Sequence, residues 1–159
     1  MARSRNTLVA DLLEAADTRA AQTGRQNLRE TAMRRALSSA YHAAFHELCY
    51  VCADQFGVWT KGEDLREPVY RLVDHGIARS RRTGKEAAGI APDILRIGTL
   101  FKDLQEARHS ADYTSSAMPV SQGWALSQIA EARRIVERIE APTPEDRLKP
   151  AILLVTKAR

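Results

Sequence analysis

LRETAMRRALSSAYHAAFHELCYVCADQ, residues 28–55, decides the fold. It is rich in Ala, Leu and Arg, and no Gly or Pro interrupts it, so it reads as one long helix. Phe56-Gly57 is its expected stop, because glycine tolerates the left-handed turn that closes many helices. Within it, YHAAFHELCYVC (41–52) gathers two histidines and two cysteines. His42, His46 and Cys49 are spaced 4 and 3 and share a helix face, which Cys52 continues. A helix rises about 1.5 Å per residue, so His42 and Cys52 lie about 15 Å apart along the axis. One zinc ion, with bonds of about 2.0–2.3 Å, cannot collect all four. A redox pair is disfavoured too, because reactive Cys-x-x-Cys thiolates sit at helix N-termini and these lie late in a helix. The spacing predicts small buried thiols in a helical core, with no metal.

Outward from this stretch the period stays helical. Leu8, Val9, Leu12, Leu13, Ala16 and Ala20 form a first stripe. Beyond it, Thr60 and Glu63 suggest a capping box opening a third helix, with Leu65, Val69, Leu72, Val73 and Ile77 as its stripe. Pro92 opens a fourth helix through Ile94, Ile97, Phe101, Leu104 and Ala111. After the loop TSSAMP, a fifth carries Ala125, Ile129, Ala132, Val136 and Ile139. No strand pattern occurs before residue 141. The expected fold is all-α, an antiparallel bundle of four to five helices over residues 1–140. APTPEDRLKP, with three prolines, reads as a linker, and residues 141–159 as a linker with a short C-terminal arm.

The 159 residues suit one domain and can bury an adequate core without staples. Twenty-four basic and 20 acidic side chains leave a net charge of +4, compatible with an anionic partner such as RNA. Two cysteines make no disulfide framework. Asp11 and Glu14 interrupt any signal-peptide core, and the longest aliphatic run, Ala151 to Val155, is too short to span a membrane. The expectation is a cytoplasmic protein with no membrane contact.

Arg108 is the anomaly in the pattern. Residues 94, 97, 101, 104, 108 and 111 step by 3 and 4, which places a guanidinium on an apolar seam. It needs a partner there, and Asp112, at i+4, is the nearest candidate. One reading is a structural ion pair. The other is a phosphate clamp, since the guanidinium fork can hold two phosphate oxygens. His109 adjoins it and is a candidate general base for metal-free RNA cleavage, with no cofactor. Arg79, Arg81, Arg82 and Lys85 form a basic connector that reads as a solvated loop or an RNA-backbone contact, with no interleaved aromatic to stack a base. His75 reads as a surface or packing histidine, and Trp59 and Trp124 as core or interface residues.

Two stretches carry a family resemblance. RRALSSAYHAAFHELCY (34–50) resembles the second helix of the HEPN family (higher eukaryotes and prokaryotes nucleotide-binding domain). Ala40, Tyr41, Ala43, Phe45 and His46 match its pattern, and His42 replaces its second aromatic. RHSADY (108–113) resembles the Arg-x-x-Ala-Asp-Tyr signature of one HEPN branch. The resemblance covers about residues 5–140. It implies a homodimer with its motifs juxtaposed and a metal-independent endoribonuclease, the toxin or effector of a toxin–antitoxin or defence module. Arg108 matches the family arginine and His109 the polar position. Tyr113 stands where the closing histidine is usual, and tyrosine, with a pKa of about 10, is a poor base at neutral pH. Asp112 would orient Arg108, Tyr113 would position the substrate, and Tyr41 and His46 would shape the site if the second helix faces it. The alternative is a non-catalytic HEPN module binding RNA, nucleotide, or a nucleotidyltransferase partner.

Overall fold

A computed structural model describes residues 7–73, 92–114 and 119–155. Among them are six α-helices and no strand: α1 (Thr7–Ala20), α2 (Gln26–Gln55), α3 (Glu63–Arg71), α4 (Pro92–Tyr113), α5 (Gln122–Glu140) and α6 (Pro144–Val155), with one 3₁₀ turn at Val58–Thr60. The protein is all-α, as the periodicity requires. No described helix is long and apolar enough to cross a membrane.

The helices form two units. The first draws on residues 1–46 and 103–134. In it, α1 buries Val9, Leu13, Ala16 and Ala20 from its expected stripe, while Leu8 stays exposed. Met33 and Leu37 of α2 pack with Ala111 of α4 and Ala125 of α5, and Val120 closes over them. α2 and α4 run antiparallel here: Arg34 meets Ala111 and Thr114, and Tyr41, two turns on, meets Arg108. α1 and α5 are also antiparallel, tied by Gln122 to the Ala20 carbonyl at 3.3 Å and by an Arg133–Asp17 ion pair.

The second unit draws on residues 47–102 and 135–159. Leu48, Cys49, Cys52, Phe101 and Ile135 are almost wholly buried in it. Tyr50 and Trp59 stack at 4.6 Å. α2 stops at Gln55, and Gly57 takes the left-handed conformation (φ 63°) with its N–H on the Asp54 carbonyl, the glycine-assisted stop that the sequence suggests.

Three expectations are corrected. Thr60 does not cap α3. Its hydroxyl donates to the Gly57 carbonyl, and Gly62 is the N-cap, with no side-chain bond. The Thr is consumed by the 3₁₀ turn that precedes the helix. Among the described residues of the α3 stripe, Leu65 and Leu72 are exposed, Val69 is half-buried and Val73, just past the helix, is buried, while Ile77 lies outside the described residues. Finally, residues 144–155 are a helix rather than a linker. Pro144 occupies the first helical position, where its missing N–H costs nothing. Thr143 caps the helix, its hydroxyl bonding the Asp146 carboxylate at 2.7 Å and accepting from the Asp146 N–H at 3.3 Å. Ala151 of this helix is buried.

Candidate functional site

The RHSADY stretch forms the last turns of α4. Leu104, Ala107 and Ala111 turn inward at helical spacing and fix which way the intervening residues face. Arg108 falls at the edge of that buried stripe, with 26% of its side chain exposed. Its Nε lies 2.7 Å from Oδ2 of Asp112, whose side chain is 13% exposed. The N–H is not aligned on the carboxylate, so the contact is an ion pair rather than a directed hydrogen bond. The expected i,i+4 pairing is therefore present.

Arg108 also lies between two aromatic rings. Its guanidinium carbon is 5.6 Å from the centroid of the fully buried Tyr41 and 5.8 Å from that of Tyr113. Cation–π contacts of this kind contribute about 0.5–2 kcal/mol each, rising with desolvation. Tyr41 thus shows that α2 faces the Arg108 side of α4. Among the described residues, none accepts a hydrogen bond from the terminal guanidinium nitrogens, which remain available to an anion. Tyr113 is 67% exposed and its ring lies 4.8 Å from that of His109, also exposed. The two rings form a tilted pair at the solvent side of the clamp.

On α2, His42 meets the Tyr41 ring edge-on at 5.4 Å. Its Nδ1 is 2.7 Å from the Ser38 carbonyl. A carbonyl only accepts, so Nδ1 carries the proton and the neutral ring has its lone pair on Nε2. His46 lies one turn further, 6.4 Å from His42 ring to ring. Burial first, and His42 second, hold His46 below the ordinary imidazole range.

Arg34 is the residue that pattern reading passed over. Its Nη1 donates to the Ala111 carbonyl at 2.7 Å and approaches the Thr114 carbonyl and hydroxyl at 3.4 and 3.3 Å, while Nη2 lies 3.4 Å from Glu30. The last carbonyls of a helix carry partial negative charge, which repels an anion. Arg34 covers that end of α4 and offsets it. The signal was the Arg34-Arg35 doublet within an Ala- and Leu-rich helix, but nothing in the spacing says which helix end it reaches.

Arg108, His109, Asp112, Tyr113 and Tyr41 are thus brought together, and His42 contacts the Tyr41 ring. Arg79, Arg81, Arg82, Lys85 and His75 lie outside the described residues. Cys49 and Cys52 are free and buried. Burial above all, then Cys52, pushes the Cys49 thiol far above its ordinary range, which makes it a poor nucleophile. Among the described residues no three His, Cys, Asp or Glu side chains converge to hold a metal ion. No family model, curated protein or solved structure matches the chain.

Proposed function

We propose that the chain is a HEPN-like, metal-independent endoribonuclease that acts as a homodimer, in keeping with the toxin or effector of a toxin–antitoxin or defence module. The observation that carries the reading is the state of Arg108. It is oriented by Asp112 and two tyrosines, yet no described residue accepts from its terminal nitrogens. A purely structural arginine would spend its fork on protein acceptors, as Arg34 does on the adjacent helix end.

In this reading the Arg108 fork clamps the scissile phosphate and stabilises the charge that grows on it during attack by the neighbouring ribose 2′-OH. Exposed His109, next to Arg108 in α4, is the candidate general base. The Tyr113–His109 ring pair offers a surface on which an unpaired base can stack. The test is cleavage of single-stranded RNA in EDTA by wild type and Arg108→Ala.

The exposed Tyr113, standing where the family's histidine is usual, favours a second reading: a module that binds RNA, nucleotide, an antitoxin or a nucleotidyltransferase without cutting. It predicts RNA retained intact on the wild-type protein and released by Arg108→Ala.

A further inference from the structure

We infer that Gln105 is a specificity-determining residue of the same site: it accepts a hydrogen bond from the 2′-OH of a nucleotide flanking the phosphate on Arg108, and so selects RNA over DNA. This rests on the reading of Arg108 as a phosphate clamp. Gln105 precedes Arg108 by three residues in α4 and Asp112 by seven, spacings that return to one face of a helix. Side chains three apart on a helix have Cβ atoms about 5–6 Å from each other, so the Gln105 amide and the Arg108 guanidinium are neighbours.

Neither group is spent on the protein. The Gln105 Oε1 is buried and has no hydrogen-bond partner among the described residues. The terminal nitrogens of Arg108 have no described acceptor. An open acceptor and an open donor fork thus lie one turn apart without bonding each other. A buried carbonyl that makes no hydrogen bond has lost its hydration and gained nothing in return. Native folds keep few such groups, and those they keep at the expense of stability belong to functional sites. Gln105 is half-buried as a whole, and χ3 of glutamine is a broad, soft torsion. Rotation about it turns the oxygen toward a ligand at the surface.

The ligand that completes this pair carries a donor close to an anion. RNA does, because each ribose 2′-OH is a hydrogen-bond donor beside its own 3′-phosphate. DNA offers the phosphates alone. The 2′-OH that bonds Gln105 belongs to the flanking nucleotide, about 4.5 Å along the helix axis from the clamp. The 2′-OH at the scissile linkage gives its proton to the base instead.

The experiment titrates the full chain, in EDTA, with labelled oligouridylate and with oligodeoxyuridylate of the same length, which differ only in the 2′-OH. The parent is His109→Ala, chosen to keep the RNA whole, and fluorescence anisotropy gives each Kd. The parent is expected to bind RNA about 5- to 30-fold more tightly than DNA. Adding Gln105→Met, an apolar side chain of similar size, is expected to erase that preference by weakening RNA binding alone. It should also raise Tm by about 2–4 °C, because the unpaired carbonyl is gone. If the methionine variant does not fold, Gln105→Ala carries the same expectation for the preference. A folded Gln105 variant that keeps the RNA preference, while Arg108→Ala releases both oligomers, overturns the Gln105 assignment and leaves the clamp standing. Equal affinity for RNA and DNA in the parent does the same. So does a lower Tm with RNA and DNA binding weakened alike, which marks a structural glutamine. Failure of the parent and of the wild type to bind either oligomer overturns both.

Discussion

Replacing Arg34 by methionine keeps the apolar stem and removes the fork that holds the end of α4. The Ala111 bond, at 2.7 Å, is the main loss. A hydrogen bond from a charged donor contributes about 1.5–3 kcal/mol, and the bare carbonyl left behind is part of that cost. The Thr114 contacts, at 3.3 and 3.4 Å, lie beyond the usual N–H···O range and add little. The Glu30 pair at 3.4 Å adds about 0.3–0.5 kcal/mol, as i,i+4 pairs do. The expected destabilisation is about 2–3 kcal/mol. For a chain of this size each kcal/mol moves the midpoint by about 2–4 °C, so Tm falls by about 4–12 °C. Arg34→Lys retains charge without the planar fork and recovers only part of the loss. Thermal and urea unfolding, followed by far-UV circular dichroism, measure both variants. An Arg34→Met protein within about 0.5 kcal/mol of wild type, the range of ordinary surface substitutions, would refute the idea that Arg34 secures the site's helix.

Stability should fall on both sides of neutrality. His46 has a lowered pKa in the folded state, so its contribution is present above the unfolded value of about 6.5 and is lost as pH falls through the folded value. His46→Gln should flatten that acid limb in urea titrations, and an unchanged limb would assign it to other groups. Cys49 and Tyr70 are both raised, chiefly by burial, so their contributions are present below about 8.5 and 10 and are lost as pH rises beyond those values. Cys49→Ala should reduce the alkaline loss. Both thiols should resist a disulfide reagent in the native protein and react at once in denaturant, and rapid native labelling would contradict their burial.

Much of the fold was legible because burial follows period. All five apolar residues named for the fifth helix are buried in α5, and Gly57 closes α2. The misreadings arise where a local signal serves another partner. Thr60 matches a cap but bonds backward to Gly57. The same chemistry, overlooked among prolines, makes Thr143 a true cap with Asp146. The Leu65 and Leu72 stripe has the period of a buried face without the burial. In the site, the Arg108–Asp112 pair was legible because i+4 fixes proximity on one helix. Tyr41 beneath Arg108 and Arg34 at the Ala111 carbonyl were not, because contacts between helices depend on rotation and register that no spacing encodes. His42 was visible as the histidine in an aromatic position, but its fixed tautomer required the Ser38 carbonyl to be placed.

The central claim is that Arg108 clamps a phosphate for RNA cleavage. The most direct measurement is the rate of cleavage of a single-stranded RNA in EDTA by wild type and Arg108→Ala, at matched protein concentration and with folding checked by circular dichroism. The account predicts cleavage by the wild type to cyclic-phosphate ends, and a loss of at least about 100-fold in the variant. Equal cleavage by the two proteins, or RNA left intact by the wild type at high protein concentration, would contradict it.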